Sequence, residues 1–352
     1  MIGAGGERTV DQLDNYLIML LNGFTTPRKV PFIYAIMTGK RTGQAVQDIH
    51  LFRMERFFGL TPTLKSEQLQ TRLRHLVDAG VVIETAQGYE INNHEENRFA
   101  KRNYKDFTYT ARGILFFSAW KLAVQVTSNW KHRKEHYLPV VRDAYVQTHI
   151  KRWLASQLQG GDKLQLRQQL YVEMELLFRL FPPALSPEAI VRQFSGGEWM
   201  GLTMQQLVQE DGKSSWDVYF DWLEQIHLVV EQLEVSPERF PVLTPLLPTR
   251  SSTLTQSATK TFQFFRTLDK KTLSVEELAS RRRLKESTIH DHFVELRATF
   301  EDLEVPGLPD ETTIAAIKQG NYIQLKAIKE VYPQLSYYQI RLAVVSKERK
   351  GN

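Results

Sequence analysis

The chain has no cysteine among its 352 residues. That absence excludes disulfide frameworks, thiolate zinc sites, iron–sulfur clusters and cysteine nucleophiles together. Long apolar runs are missing as well. Stretches such as Leu17–Leu21 and Ile114–Phe117 fall far short of the ~20 residues a membrane helix needs. No basic flank, apolar run and small-residue cleavage site occur together near the N-terminus, so no secretory signal is read. With 42% hydrophobic and 24% charged residues, the composition is neither disordered nor repetitive. The expectation is a cytoplasmic chain without a membrane partner, and its length suggests two or three domains.

A large charge of one sign is also absent, since the net charge is only +5. Its distribution is uneven. Residues 98–152 carry +9 (12 basic, 3 acidic) and residues 161–249 carry −7 (6 basic, 13 acidic). Such blocks favour a chain that meets a polyanion with one part and something else with another, although solvated helix faces also produce them.

Apolar spacing is helical almost everywhere. Ile114, Phe117, Trp120, Val124 and Trp130 recur mostly at steps of three and four or their multiples, as do Leu223, Ile226, Val230 and Leu233. Strand signals are sparse. Val81-Val82-Ile83 and Tyr89-Glu90-Ile91 flank a glycine-containing turn and read as a hairpin. A helix from Ser66 to Ala79, closed by Gly80, precedes it, and helix then wing suggests a winged helix. Prolines break the helical pattern at Pro182–Pro187 and again along Pro237–Ser252, where they mark a domain boundary.

After that boundary come three closely spaced helical segments. The first, near Thr255–Leu268, presents Ala258, Phe262 and Phe265, and Asp269–Thr272 interrupts it. The second starts at Ser274 with Glu277 three residues on, which predicts a capping box. The third, near Glu286–Phe300, carries Ile289, Phe293, Leu296 and Phe300 on one stripe. Short helix, tight turn and a second helix with a polar first turn is the helix-turn-helix layout, whose second helix enters the major groove. A three-helix bundle that touches only protein has the same spacing.

Ser274-Val275-Glu276-Glu277-Leu278-Ala279, followed by Arg283-Leu284-Lys285-Glu286-Ser287-Thr288-Ile289-His290-Asp291-His292, resembles the helicase helix-turn-helix family. That module occurs at the C-terminus of RecQ/Werner-type helicases and in YpbB-like bacterial proteins. Gly39-Lys40-Arg41-Thr42-Gly43-Gln44-Ala45-Val46-Gln47-Asp48 resembles the N-terminal "GK-x-[ST]-x-Q-T-x-Q-D" stretch of the YpbB-like family. Tyr109–Gly113 is similar to its "LT-x-x-G", and Gly201-Leu202-Thr203 with Gln206-Leu207 to its "G-x-T-x-x-Q-[LI]". Each motif is short, and their order along the chain is the stronger signal. The resemblance implies an accessory role beside a RecQ-type helicase. One departure is Lys285, where the family often has a serine cap.

The basic cluster Arg281, Arg282, Arg283 and Lys285 sits at the turn, where phosphates would be met. Ser287, Thr288 and His290 would approach the groove, whereas His292 packs within the module. Lys101, Arg102, Lys105, Lys131, Arg133 and Lys134 are secondary candidates for contact with DNA or a partner. The aromatics interleaved with them, such as Tyr104, Trp120 and Trp153, have core spacing. The apolar residues of the last helical segment, Tyr337–Val345, either close the module's core or form a docking face, and the resemblance favours closure.

Three enzyme readings fail. Gly39-Lys40-Arg41 lacks the earlier glycine of a P-loop, replaced by Tyr34, and the Ser/Thr after lysine, replaced by Arg41. His132-Arg133-Lys134-Glu135-His136 fits H-x-x-E-H but lies among cations that repel Zn²⁺. Ser195-Gly196-Gly197-Glu198 means little as an ATPase signature without a P-loop and reads as a helix-connecting turn.

The expectation is therefore a mostly α protein. Residues 1–100 form a winged-helix-like domain with a small β-hairpin, 101–245 a helical middle, and 254–352 a helix-turn-helix module. No catalytic residue, metal or cofactor is expected. The functional expectation is a DNA-binding accessory protein, cytoplasmic and nucleoid-associated, that partners a RecQ-type helicase in repair or recombination. A dimeric sequence-specific regulator and a protein adaptor are the alternatives. The oligomeric state stays open, a homo-oligomer included.

Overall fold

The computed structural model describes residues 10–92, 98–134, 136–159, 161–267 and 274–347. The Asp269–Thr272 break, Glu135 of the H-x-x-E-H letters and the basic tail after Lys347 lie outside these residues.

The chain is mostly helical with one small antiparallel hairpin. Its elements in order are α1 (Gln12–Gly23), α2 (Val30–Thr38), α3 (Gly43–Leu51), α4 (Ser66–Asp78), β1 (Val82–Thr85) and β2 (Gly88–Ile91). Then come α5 (Tyr109–Lys131), α6 (Ala144–Gln157), α7 (Lys163–Arg179), α8 (Glu188–Val191), α9 (Met204–Asp211) and α10 (Ser215–Val235). Last are α11 (Gln256–Thr267), α12 (Val275–Arg282), α13 (Glu286–Thr299), α14 (Glu311–Gln319), α15 (Leu325–Val331) and α16 (Tyr337–Val345).

Two compact units result, and they interleave along the chain. One combines Met1–Leu20, Asn93–Lys105 and Tyr109–Pro248; the other combines Leu21–Asn92, Asp106–Thr108 and Thr249–Asn352. The sequence reads three consecutive segments, whereas packing joins the hairpin region to the C-terminal module. Burial sums over contacts of any sequence separation, so adjacency along the chain does not decide it.

In the first unit α5 packs along α10 and meets α6 and α7. Trp120 and Phe116 are buried in its core, with Phe194 at 4.9 Å and Phe178 at 5.7 Å from the Trp120 ring. The proline-rich stretch before Thr249 is no loose linker. Phe240, Val242, Leu243 and Leu246 are buried, and Glu173 accepts the backbone N–H groups of Val242 and Leu243 at 2.8–3.0 Å. Trp153 donates its indole N–H to Val242 O. Prolines suppress helix here, and the apolar residues between them still find the core.

In the second unit the hairpin pairs Val82 with Ile91 and Thr85 with Gly88. Arg28 adds a bridge to Tyr89, and its carbonyl passes so close to Gly88 that a Cβ there would lie 2.4 Å away. α4 precedes this wing and ends through Gly80 at φ 70°. At the other end of the chain, Ile314, Ile317, Ile328, Ile340, Ala343 and Val344 form one core with Leu51 of α3 packed against it. The last helix therefore closes this core.

Candidate nucleic-acid interface

α11, α12 and α13 pack together in the helix-turn-helix order. Phe265 meets Phe293 edge-on at 5.4 Å and Phe262 stacks on Phe300 at 4.9 Å, over buried Ala258, Leu278, Ala279 and Ile289. Ser274 caps α12 by accepting the Glu277 N–H at 3.0 Å. The expected reciprocal bond does not form, because the Glu277 carboxylate pairs with Arg281 at 2.6 Å instead. The tight turn needs a left-handed residue, and Arg283 supplies it at φ 52°. α13 starts at Glu286 after an extended Lys285 whose side chain makes no cap.

The four basic residues at the turn divide. Arg281, Arg283 and Lys285 are exposed, as is Ser287. Arg282 turns back onto α11, where Nε donates to Thr261 Oγ1 and Nη2 to Ser257 O, both at 3.2 Å. It binds the first helix of the domain to the second.

Glu286 is exposed as well, and the residues after Ser287 meet protein on part of their surface. Thr288 and His290 are half-buried, and the His290 ring stacks on Tyr338 of α16 at 3.9 Å. Burial lowers the His290 pKa. Asp291 pairs with Arg341 of α16 at 2.7 Å. His292 is buried against the Thr261 hydroxyl at 2.8 Å, as its packing role requires. Every residue from His292 to Thr299 is buried.

α3 supplies much of that cover, and it begins in the Gly39–Asp48 motif. Gly39 turns left-handed at φ 77° to close α2, with Gly59 against it. Arg41 donates to Glu295 at 3.4 Å and Thr299 at 3.2 Å on α13, and its guanidinium lies over Phe107. Thr42 caps α3 through the Ala45 N–H. At Gly43 a Cβ would lie 2.8 Å from both Asp291 Oδ1 and Arg341 Nη2, so a side chain there would displace the Asp291–Arg341 pair. Asp48 pairs with Arg28 at 3.7 Å. A motif with no assigned role in sequence is the seat of the second helix of the helix-turn-helix.

The secondary cations also divide. Arg102 pairs with Asp221 at 2.8 Å and Glu224 at 2.9 Å, Lys105 with Glu231 at 2.7 Å, and Arg112 with Glu234. These carboxylates belong to α10, so part of the basic block neutralises part of the acidic block within one unit. Arg102 and Lys105 would have to break these pairs to reach DNA. Lys101, Lys131, Arg133 and Lys134 are exposed, with Lys134 Nζ on Gly197 O at 2.8 Å. Tyr104, Trp120 and Trp153 are core residues.

Comparison with known proteins agrees with this geometry. A family model described as a helix-turn-helix domain matches residues 257–344, spanning α11 to α16. The protein is thus of the class that carries a C-terminal helix-turn-helix domain, which suggests DNA binding. Over nearly its whole length it is similar to Protein YpbB of Bacillus subtilis (strain 168). The two are 24% identical over 336 residues, which cover 90% of this chain and 92% of that protein. No solved structure matches it. No helix among the described residues is long and apolar enough to cross a membrane.

Proposed function

We propose that the protein is a non-catalytic DNA-binding accessory factor that grips phosphates without reading bases, and that it works beside a RecQ-type helicase in repair or recombination. One observation carries the first half. Arg281, Arg283 and Lys285 are exposed at the turn, while His290, Asp291, Val294 and Glu295, on the helix a groove reader would insert, are held by α16 or buried. Phosphate contacts supply affinity and salt dependence but no sequence information. This arrangement favours the accessory reading over a sequence-specific regulator. The helicase half rests on the resemblance of the motifs and their order.

The test is anisotropy binding to random-sequence duplex, forked and single-stranded DNA across a salt series. Replacing Arg281, Arg283 and Lys285 by alanine should weaken all sequences alike and lower the salt slope by up to about 3. Arg283→Gly should weaken binding while stabilising the fold by about 1 kcal/mol, because glycine accepts the left-handed turn without strain. An unchanged slope would remove the phosphate assignment. A palindromic site preferred ~10³-fold over random DNA would establish the regulator instead. For the helicase, purified protein and a RecQ-type helicase should co-elute in size exclusion, and separate peaks would end that half.

A further inference from the structure

Two features of the first unit are not used by the phosphate reading of the helix-turn-helix. An open cleft of about 420 Å³ lies between α5 and α7, with Val124, Leu170, Tyr171 and Met174 supplying apolar walls. Its polar rim is cationic, formed by Lys131 at the end of α5 and Arg167 on α7. No carboxylate pairs with either among the described residues. Arg133 and Lys134 follow Lys131 and are exposed.

The second feature is the loop between α8 and α9. Gly196 and Trp199 exchange backbone hydrogen bonds of 2.9 Å in both directions around a left-handed Gly197 at φ 59°. The loop is clamped to α5. Gly197 N donates to Asn129 Oδ1 at 3.2 Å, and Lys134 Nζ donates to Gly197 O. A Cβ on Gly196 would strike the Ser128 side chain at 2.5 Å, so the close seat requires glycine there. Ser128 and Val124, which the loop touches, are also walls of the cleft. This rigid turn holds Trp199 76% and Met200 83% exposed, while Tyr171 on the cleft wall is 66% exposed. Large apolar side chains fixed outward on a clamped turn mark an interaction site more than incidental exposure.

We propose that the cleft and the Trp199-Met200 turn form a docking surface for an amphipathic helix of a partner protein whose apolar stripe is flanked by acidic residues. A groove between two helices suits the apolar face of a third. Carboxylates beside that stripe would meet Lys131 and Arg167. The described carboxylates nearest Arg167 in sequence are engaged elsewhere: Asp162 caps α7 through the Leu164 N–H, Glu173 accepts the Val242 and Leu243 N–H groups, and Glu175 pairs with Arg179 at 2.5 Å. The cationic rim selects an acidic helix. A two-fold pairing of this face with a second copy would set Lys131 and Arg167 against like charges.

The probe is a phage-displayed library of random 16-residue peptides, selected on the full chain. Enriched peptides should combine Asp or Glu with Leu, Phe or Trp at three- and four-residue spacing. Their affinity, measured by anisotropy with synthetic peptide, should fall at least tenfold in Trp199→Ser/Met200→Ser and again in Lys131→Glu/Arg167→Glu. The substituted side chains reach solvent, so the thermal melt should stay unchanged, and Lys131→Arg/Arg167→Lys should retain binding within about threefold. Basic or neutral consensus peptides, no enrichment, or affinity indifferent to these substitutions would overturn the proposal. So would a doubled mass in sedimentation equilibrium that Trp199→Ser/Met200→Ser abolishes, which would assign the face to a second copy. If Lys131→Glu/Arg167→Glu weakened DNA binding as much as peptide binding, the surface would belong to the DNA path instead. The phosphate grip is tested on α12 and α13, so either idea can fail alone.

Discussion

His50 shows what burial does to a single residue. It lies on α3, enclosed against Phe107, with Nδ1 2.7 Å from the Val46 carbonyl. Burial pushes its pKa down to about 3, so the folded protein keeps it neutral. In the unfolded chain the imidazole takes up its proton near pH 6.5. Between those values the unfolded state binds more protons, so stability present above pH 6.5 is lost as pH falls toward 3. The slope for one such group is roughly 1.4 kcal/mol per pH unit. Chemical denaturation from pH 7 to pH 4.5 should therefore show a shallower decline in His50→Gln than in the unsubstituted protein. His290 and His292, lowered in the same direction by burial, retain their own share of the decline. Asp106 acts at lower pH. Burial opposes its charge, yet Arg250 at 2.7 Å and the Thr108 hydroxyl hold its pKa at about 2. Parallel slopes for both proteins would show that His50 is not the neutral buried group described.

At the scale of elements, α13 packs against α3 and against Arg41, just before α3. Arg41 and Glu295 are both buried, and Glu295 also accepts the Thr255 N–H at 2.7 Å and its hydroxyl at 2.8 Å, which ties the entry of α11 to α13. Removing one member of a buried pair leaves the other charge without compensation. Arg41→Met should cost about 3 kcal/mol in the denaturation of the unit holding α3 and α13, and adding Glu295→Gln should restore a large part of it. Additive losses would mean that the two side chains do not act together. Sequence spacing locates α13 well, since Ile289, Phe293 and Leu296 are its buried stripe. It does not reveal the cover on the remaining faces, because Arg41 and Glu295 are 254 residues apart. Lys285, conspicuous in sequence as an unusual cap, does precede the first residue of the helix and leaves its first turn without a side-chain cap.

Across the whole molecule, charge is arranged more economically than the linear blocks suggest. Part of the +9 segment answers the −7 segment inside the first unit, through Arg102, Lys105 and Arg112 on α10 carboxylates. Arg102→Gln with Lys105→Gln should thus lower the melting temperature while leaving the salt slope of DNA binding unchanged. A slope reduced by about 2 would place both cations on phosphates. Among the exposed cations, those at the helix-turn-helix turn and at the rim of the α5–α7 cleft are the ones proposed to meet DNA and a partner.

Helix positions, the Ser274 cap, the hairpin after Gly80 and the helix-turn-helix itself are legible in the sequence alone. They depend on contacts between residues a few positions apart, and spacing reports such contacts directly. The proline-rich Pro237–Ser252 stretch is visible in the sequence too, although the buried packing of its residues is not. Only the tertiary structure decides which cations face solvent and which face a carboxylate more than a hundred residues away. It also decides that the second helix of the helix-turn-helix is covered by α3 and α16 beyond its exposed first turn. Pairing and burial are set by through-space neighbours, and a linear pattern carries no record of which distant segment will supply them.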